Sequence, residues 1–201
     1  MGEVALKLQH VISSSLARAT VIRALTHPSI KYVNFMLGPY YVSEFQLRRV
    51  KACIESTLIR VKYDPSIGGG AEYDTGTDTI HLSFTSSSLT RDALIVHECV
   101  HAAFDLDNLS ASKVDASEAA AYIAQCIVAR VRSTDPSQRL MSDHEGSDKV
   151  FEIAWKIAGD VIASNGASEA DQAKLKEALK HHRHYGGITG DNAGYNGVKR
   201  H

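Results

Sequence analysis

The chain has 201 residues, of which 44% are hydrophobic and 22% are charged, so it can form one domain with a proper hydrophobic core. Its 22 Lys and Arg nearly balance 23 Asp and Glu, which argues against a protein that coats nucleic acid or an anionic membrane. Ten histidines are many for this length. Because histidine is the commonest metal ligand and a neutral-pH acid and base, the positions of these residues matter.

The cysteines and the amino terminus bear on the cellular compartment. Cys53, Cys99 and Cys126 are odd in number and fit no disulfide framework. No apolar run approaches the ~20 residues that span a bilayer, and the first residues lack a basic start followed by an apolar stretch. The sequence therefore predicts a reducing, cytoplasmic location. Secretion without a signal peptide, or excision from a longer chain, remains open.

Hydrophobic spacing and capping residues predict a mainly helical α+β fold with a small antiparallel sheet. The predicted elements are, in chain order, a helix over 3–25, an irregular aromatic segment over 32–41, a helix over 44–57 that begins in a capping box, strands over 58–63 and 79–84, and helices over about 90–106, 112–132, 147–163 and 168–182. Five glycines fall in the last 19 residues. We expect one domain over 1–182 and a flexible tail over 183–201.

The third of these helices contains the motif His97-Glu98-Cys99-Val100-His101. Histidines four residues apart lie one turn apart on one helical face, so both can bind a single zinc ion. Glu98 lies beside them and can act as general base toward a metal-bound water. A shuffled chain of this composition would contain about 0.02 such motifs, so chance is a weak explanation.

The rest of this helix supports the metal interpretation. From 93 to 104 every residue outside the motif's polar positions is apolar or cysteine, which predicts a helix buried nearly all round. Taking His97 as zero, His101 lies at ~40° and Glu98 at ~100° around the helix axis. Burying these groups without partners would cost several kcal/mol, and a metal site in a cleft removes that cost. Cys99, at ~200°, is predicted to be a core thiol.

A catalytic zinc site needs a third protein ligand and one open position. Asp105 lies one turn beyond His101, but three successive turns of one helix cannot converge on one ion. It is expected either to orient a histidine or to face solvent. Glu118 is the favoured ligand, because it lies at the height of His101 if the two helices pack antiparallel.

Other residues of the following helix continue the same stripe. Asp115 is an alternative ligand, one turn before Glu118. Tyr122 and Gln125 could hydrogen-bond a ligand or the substrate, or simply pack within the protein.

The pattern His97-Glu98-x-x-His101 followed by Glu118-Ala-Ala-Ala-Tyr122 resembles the gluzincin branch of zinc metallopeptidases, over about residues 79–130. The resemblance implies a zincin-like fold, His97, His101 and Glu118 as ligands of one Zn2+, and Glu98 as the base. It also implies that the strand over 79–84 is a sheet edge that pairs with an extended peptide substrate. The Gly-x-x-His continuation of metzincins is missing. By size and motif the chain looks like the minimal metallopeptidase domains of some bacterial toxins and effectors.

Peptide hydrolysis by such a site requires a second group that stabilises the oxyanion. Tyr122, His144 and Tyr185 are the candidates, although His144 also fits a solvated loop. The histidines around 181–184 could bind metal adventitiously or close the cleft, but a frayed helix end is the favoured interpretation. His81 is expected to be solvated.

The predicted function is therefore that of a zinc metallopeptidase whose partner is a protein or peptide substrate, with neither nucleic acid nor membrane as a ligand. A toxin would have a further partner, a cognate inhibitor or immunity protein. The alternatives are a zinc-binding regulatory or interaction module without proteolytic activity, and a helical protein in which the motif is coincidental.

Overall fold

The computed structural model describes residues 2–67, 70–134, 147–164, 166–182 and 184–199. Their helices are α1 Gly2–Thr26, α2 Glu44–Glu55, α3 Leu89–Leu106, α4 Val114–Arg132, α5 Ser147–Ile162 and α6 Glu169–Lys180. Their strands are β1 Asn34–Leu37, β2 Tyr40–Ser43, β3 Arg60–Tyr63, β4 Ala71–Asp74 and β5 Thr79–Leu82, and short 3-10 helices occupy Pro28–Tyr32 and Pro65–Ile67. The prediction of a mainly helical α+β fold is confirmed.

Capping side chains set where two of the helices begin. The predicted capping box starts α2, since the Ser43 amide donates to Gln46 Oε1 at 3.1 Å and the Gln46 amide donates to Ser43 Oγ at 3.5 Å. Helix α3 begins before the predicted Thr90, because Ser88 is its N-cap and accepts a hydrogen bond from the Arg91 amide.

The start of α4 differs from the predicted start at about residue 112. Lys113 occupies the N-cap position and its side chain makes no capping hydrogen bond. The first amides of α4 instead donate to backbone carbonyls near the end of the chain, from Val114 to Asp191 and from Asp115 to Thr189. A segment distant in sequence thus supplies the acceptors that a capping side chain would otherwise provide.

The sheet before α3 is mixed, and the prediction of an antiparallel sheet was wrong. The strand order is β3-β5-β4, with β3 parallel and β4 antiparallel to β5. Strand β5 is therefore central, and the expectation that residues 79–84 form the sheet edge is also wrong. One edge is β4, which is only four residues long.

The aromatic segment that was expected to be irregular forms a hairpin. Strands β1 and β2 pair antiparallel in the register Asn34 to Ser43 and Leu37 to Tyr40. Gly38 lies in the connecting turn with φ +56°, a left-handed conformation that glycine adopts without steric cost.

Helices α3 and α4 form an antiparallel pair at the centre of the core, with α5 packed on the other side of α4. Ala119, Ala120 and Ala121 are fully buried on α4, and their small side chains permit the close approach of neighbouring helices. Cys99 is fully buried on α3, as expected for a core thiol, and burial raises its pKa. Within the described residues, no helix is both long and apolar enough to span a membrane.

The last part of the chain was expected to be a flexible tail, but residues 184–199, here called the C-terminal segment, pack on the domain. Asn192 forms a β-bridge with Lys113, and the Ala193 amide donates to the Ser112 carbonyl at 2.8 Å. Tyr195 is only 4% exposed and its ring meets Phe104 edge-on. Composition alone suggested disorder because glycine is frequent in this part of the chain. In the structure, the buried side chain of Tyr195 anchors the segment on the domain.

Candidate metal centre

Helices α3 and α4 bring the three predicted metal ligands together. His97 Nε2 lies 3.3 Å from Glu118 Oε2, and His101 Nε2 lies 3.4 Å from Glu118 Oε1. One ligand atom from each residue lies within 4.8 Å of the others. The helical spacing of the histidines and the antiparallel approach of α4 produce this convergence, and the group could hold a metal ion.

A second observation also indicates that these three side chains suit a bound cation. Glu118 Oε2 is buried and has no hydrogen-bond partner among the described residues. An unpaired buried carboxylate oxygen is costly, and a metal ion bound between the three side chains would remove that cost. Two imidazole nitrogens and one carboxylate oxygen are the ligand set of many catalytic zinc sites.

Both histidines are oriented through their second ring nitrogen. His97 Nδ1 lies 3.0 Å from Gln125 Oε1, whereas His101 Nδ1 lies 2.9 Å from both Ser117 Oγ and Tyr195 Oη. When Nδ1–H donates to these oxygens, each Nε2 presents a lone pair toward Glu118. The expectation that Gln125 could hydrogen-bond a ligand therefore matches its position.

The charges of the ligands depend on burial and on one another. Burial lowers the pKa of His101 to about 4, against the opposing attraction of Glu118. Burial also favours neutral His97, but the adjacent carboxylates of Glu118 and Glu98 outweigh it and raise the His97 pKa. Burial would raise the pKa of Glu118, yet the two histidines reverse that effect and the net shift is downward. His101 is therefore neutral at pH 7, as a metal ligand must be.

Glu98 is 7% exposed and points to strand β4. Its Oε2 accepts a hydrogen bond from the backbone amide of Tyr73 at 2.9 Å. Burial raises the Glu98 pKa to about 7, with a further contribution from Glu118, while His97 and the Tyr73 amide oppose the shift. A carboxyl group with a pKa near neutrality can both accept and return a proton.

Asp105 has neither of the two roles expected from the sequence. It is fully buried, and it accepts hydrogen bonds from Tyr73 Oη at 2.8 Å, from the Asn196 amide at 2.8 Å and from the Gly197 amide at 2.9 Å. Asp105 therefore ties both β4 and the C-terminal segment to α3.

The oxyanion candidates lie in different places. The ring of Tyr122 meets the ring of His97 edge-on at 4.8 Å, and the described lining of the cavity beside the metal ligands includes Tyr185 but not Tyr122. The hydroxyl of Tyr185 helps to lower the pKa of Glu118, so it lies close to that carboxylate. His144 lies outside the described residues.

The remaining predicted accessories have structural positions. His182 is 4% exposed and stacks on Tyr185 at 4.7 Å, so the expectation of a frayed end is wrong there, whereas the side chain of His181 is 78% exposed. His81 lies 3.6 Å from Asp64 and its side chain is 21% exposed. Asp115 does not belong to the ligand group within the part of the chain described.

The cavity beside the candidate metal ligands has a volume of about 280 Å³. Its walls are β4, α3, α4 and the C-terminal segment, which contributes Tyr185, Ile188, Ala193 and Tyr195. Sequence reasoning missed Tyr73 and Tyr195. No spacing rule could have found them, because 94 positions separate Tyr195 from His101 and Tyr73 acts on Glu98 through its backbone amide.

Scans of protein-family models, of curated proteins and of solved structures found no match to this chain.

Proposed function

We propose that this protein is a zinc-dependent metallopeptidase. The observation that supports the proposal most directly is the convergence of His97, His101 and Glu118, with Glu98 buried beside them at the edge of a strand. The zincin-like interpretation of the fold belongs to the same proposal. It rests on the motif helix, the glutamate of the next helix and the adjacent sheet edge.

In this proposal, a few side chains have separate roles in peptide hydrolysis. Zn2+ bound by the three ligands would polarise a peptide carbonyl and lower the pKa of a water molecule. Glu98 accepts the proton of the attacking water and delivers it to the leaving amine, for which its pKa of about 7 is suited. Tyr185, which lines the cavity, is the better-placed hydrogen-bond donor to the developing oxyanion.

Strand β4 offers a template for an extended substrate. The Gly70 carbonyl accepts from the Ser83 amide, and Tyr73, whose amide binds Glu98, pairs with Ile80 of β5. Backbone groups alternate in direction along a strand, so those of Ala71 and Tyr73 are directed away from β5 and toward the cleft. A peptide added along this edge would carry its backbone past Glu98.

The test measures metal content and peptide hydrolysis for the native chain and for three single variants. The native chain should bind one zinc per molecule and hydrolyse a mixed peptide library. Glu118→Gln should lose stoichiometric zinc. Glu98→Gln should retain zinc and lose hydrolysis by at least about 100-fold, since it removes the general base. Glu177→Gln, at a side chain that is 59% exposed, is the matched control and should behave as the native chain.

Each outcome has a defined consequence. Absence of stoichiometric metal would contradict the metal centre, and hydrolysis unchanged in Glu98→Gln would contradict the mechanism. Zinc bound without hydrolysis of any peptide would favour the alternative, a non-proteolytic zinc-binding module. A toxin or effector role predicts in addition that expression is toxic and that Glu98→Ala relieves the toxicity.

A further inference from the structure

The C-terminal segment crosses the cleft at one end. On one side, Ala193 and Asn192 are bonded to Ser112 and Lys113, just before α4. On the other side, Asn196 Nδ2 donates to the Thr75 carbonyl at 2.8 Å, directly after β4. The segment therefore connects the two walls of the cleft at the carboxyl end of β4.

This crossing is anchored to the floor of the cleft. Asp105 on α3 accepts the backbone amides of Asn196 and Gly197, and Tyr195 reaches down to His101. Thr75, Ala193 and Tyr195 all line the cavity. The crossing is consequently a wall of the site and not a loosely associated strand.

The wall limits the length of substrate on that side. Thr75 lies two residues beyond Tyr73, whose amide binds Glu98. Two residues of extended chain span about 7 Å, so only one or two substrate residues fit between the catalytic base and the wall. A long polypeptide passing through in both directions would collide with residues 193–196.

The direction of the substrate decides which of its ends meets the wall. An antiparallel strand pairs slightly more favourably than a parallel one, and antiparallel pairs are the more frequent. A peptide antiparallel to β4 runs from the Thr75 end toward the Ala71 end. Its amino terminus would therefore lie against the wall.

The charges of the cavity lining bear on which kind of chain end it accepts. The described lining contains no lysine or arginine, so a substrate carboxylate would find no cationic side chain there. Glu118 and Glu98 are taken up as metal ligand and base, which leaves Glu72 as the lining carboxylate that can attract a protonated amine.

The geometry points to an aminopeptidase, an inference that rests on the proposed peptidase function. The substrate is a peptide with a free amino terminus, and the scissile bond is its first or second peptide bond. The water oxygen bonds to the carbonyl carbon, the C–N bond breaks and a proton passes to the leaving nitrogen. The products are a free amino acid or dipeptide and a peptide shortened at its amino end.

The experiment compares one unstructured decapeptide in three forms: with free ends, with an acetylated amino terminus and with an amidated carboxyl terminus. Mass spectrometry of the zinc-loaded chain should show removal of one or two residues from the amino end. Acetylation should slow cleavage at least about tenfold, because it removes the charge and adds length against the wall, and amidation should have no effect.

Two results would overturn the inference while leaving the peptidase function intact. One is internal cleavage of the free and acetylated peptides at equal rates, which would indicate an endopeptidase. The other is shortening from the carboxyl end that amidation abolishes. If the zinc-loaded chain cleaves none of the three peptides, the proposed function fails and the inference falls with it.

A pair of variants tests the wall itself. Asn196→Ala removes the side-chain contact with Thr75, whereas Asn192→Ala removes a contact with Lys113 on the other side of the segment. Asn196→Ala should reduce the discrimination between free and acetylated peptides several-fold, and Asn192→Ala should preserve it. If Asn196→Ala and the native chain discriminate equally between free and acetylated peptides, this crossing does not determine the preference for a free amino terminus.

Discussion

Tyr73 donates its backbone amide to Glu98 over 2.9 Å, and its hydroxyl donates to Asp105 over 2.8 Å. One residue of the edge strand thus contacts the candidate base and, two turns further along α3, the buried carboxylate that anchors the C-terminal segment. The sheet, the motif helix and the end of the chain are consequently fixed to one another around the candidate metal ligands.

Removing the groups that orient His101 should weaken metal binding. Ser117→Ala with Tyr195→Phe eliminates both oxygens within reach of His101 Nδ1, so the imidazole loses its fixed orientation. Loss of such partners typically lowers metal affinity about 10- to 100-fold. Chelator competition for zinc measures the change.

Tyr195→Phe alone should cost less, because Ser117 remains as an acceptor and the ring still packs on Phe104. Equal zinc affinities for the native chain and the double variant would show that these contacts do not orient the ligand.

Asp105→Ala should release the C-terminal segment. The substitution removes the acceptor of the Asn196 and Gly197 amides and leaves Tyr73 Oη with only its longer contact to Asp78, at 3.5 Å. Tyr73 is buried, whereas Asn196 is exposed and Gly197 is half-buried, so the free energy of unfolding should fall by about 1–3 kcal/mol. Hydrogen exchange should show faster exchange at the amides of Asn196 and Gly197.

Tyr73→Phe serves as the comparison, since it removes one of the three donors and leaves both backbone amides bonded. It should cost about 1–2 kcal/mol and preserve the protection of residues 196 and 197. Native-like exchange in Asp105→Ala would contradict the role of Asp105 as the anchor.

Phe104→Ala should be among the more destabilising core substitutions. Phe104 is fully buried on α3 and contacts the rings of Tyr40 and Tyr195. Truncation to alanine at such a position typically costs about 3–5 kcal/mol, through lost burial and a residual cavity. Phe45→Ala, at a side chain that is 69% exposed, should change the free energy of unfolding by less than about 0.5 kcal/mol. Denaturant unfolding of the pair checks the prediction.

The ion pair at the start of α6 should make stability depend on pH in the acid range. Hydrogen bonds from Lys156 and Ser168 lower the pKa of Asp171 to about 2, from an ordinary value of 3.8. A carboxyl group with a lowered pKa stabilises the fold above its unfolded pKa. That contribution is lost as pH falls from about 4 through about 2.

The melting temperature of Asp171→Asn should therefore lie below that of the native chain at pH 6, and the difference should shrink as pH approaches 2. Asp160→Asn removes the more exposed partner of Lys156 and should show a smaller dependence. A difference that stays constant from pH 6 to pH 2.5 would rule out this ion pair as the cause.

The sequence was most informative where function depends on local spacing. The four-residue spacing of His97 and His101 fixes a shared helical face whatever the rest of the chain does. The apolar residues around the motif predicted that this helix is buried. The short connection to α4 predicted that Glu118 lies at the height of His101. The helices and the capping box at Ser43 followed from equally local rules.

These local rules could not predict which distant segments of the chain pair with one another. Nothing in residues 79–84 indicates that β5 is central or that β3 runs parallel to it, because strand order depends on which edges meet in space. The C-terminal segment has the composition of a disordered tail, yet Tyr195 and the anchor at Asp105 hold it in place.

The sequence by itself therefore identified the candidate metal ligands and the candidate base, since helical periodicity and a short helix connection are set by neighbouring residues. Only the tertiary structure decided how the cleft is enclosed. Its walls, β4 and residues 184–199, are joined to α3 by hydrogen bonds between residues that are 25 to 94 positions apart. Backbone amides form several of these bonds, and side-chain identity does not encode their partners.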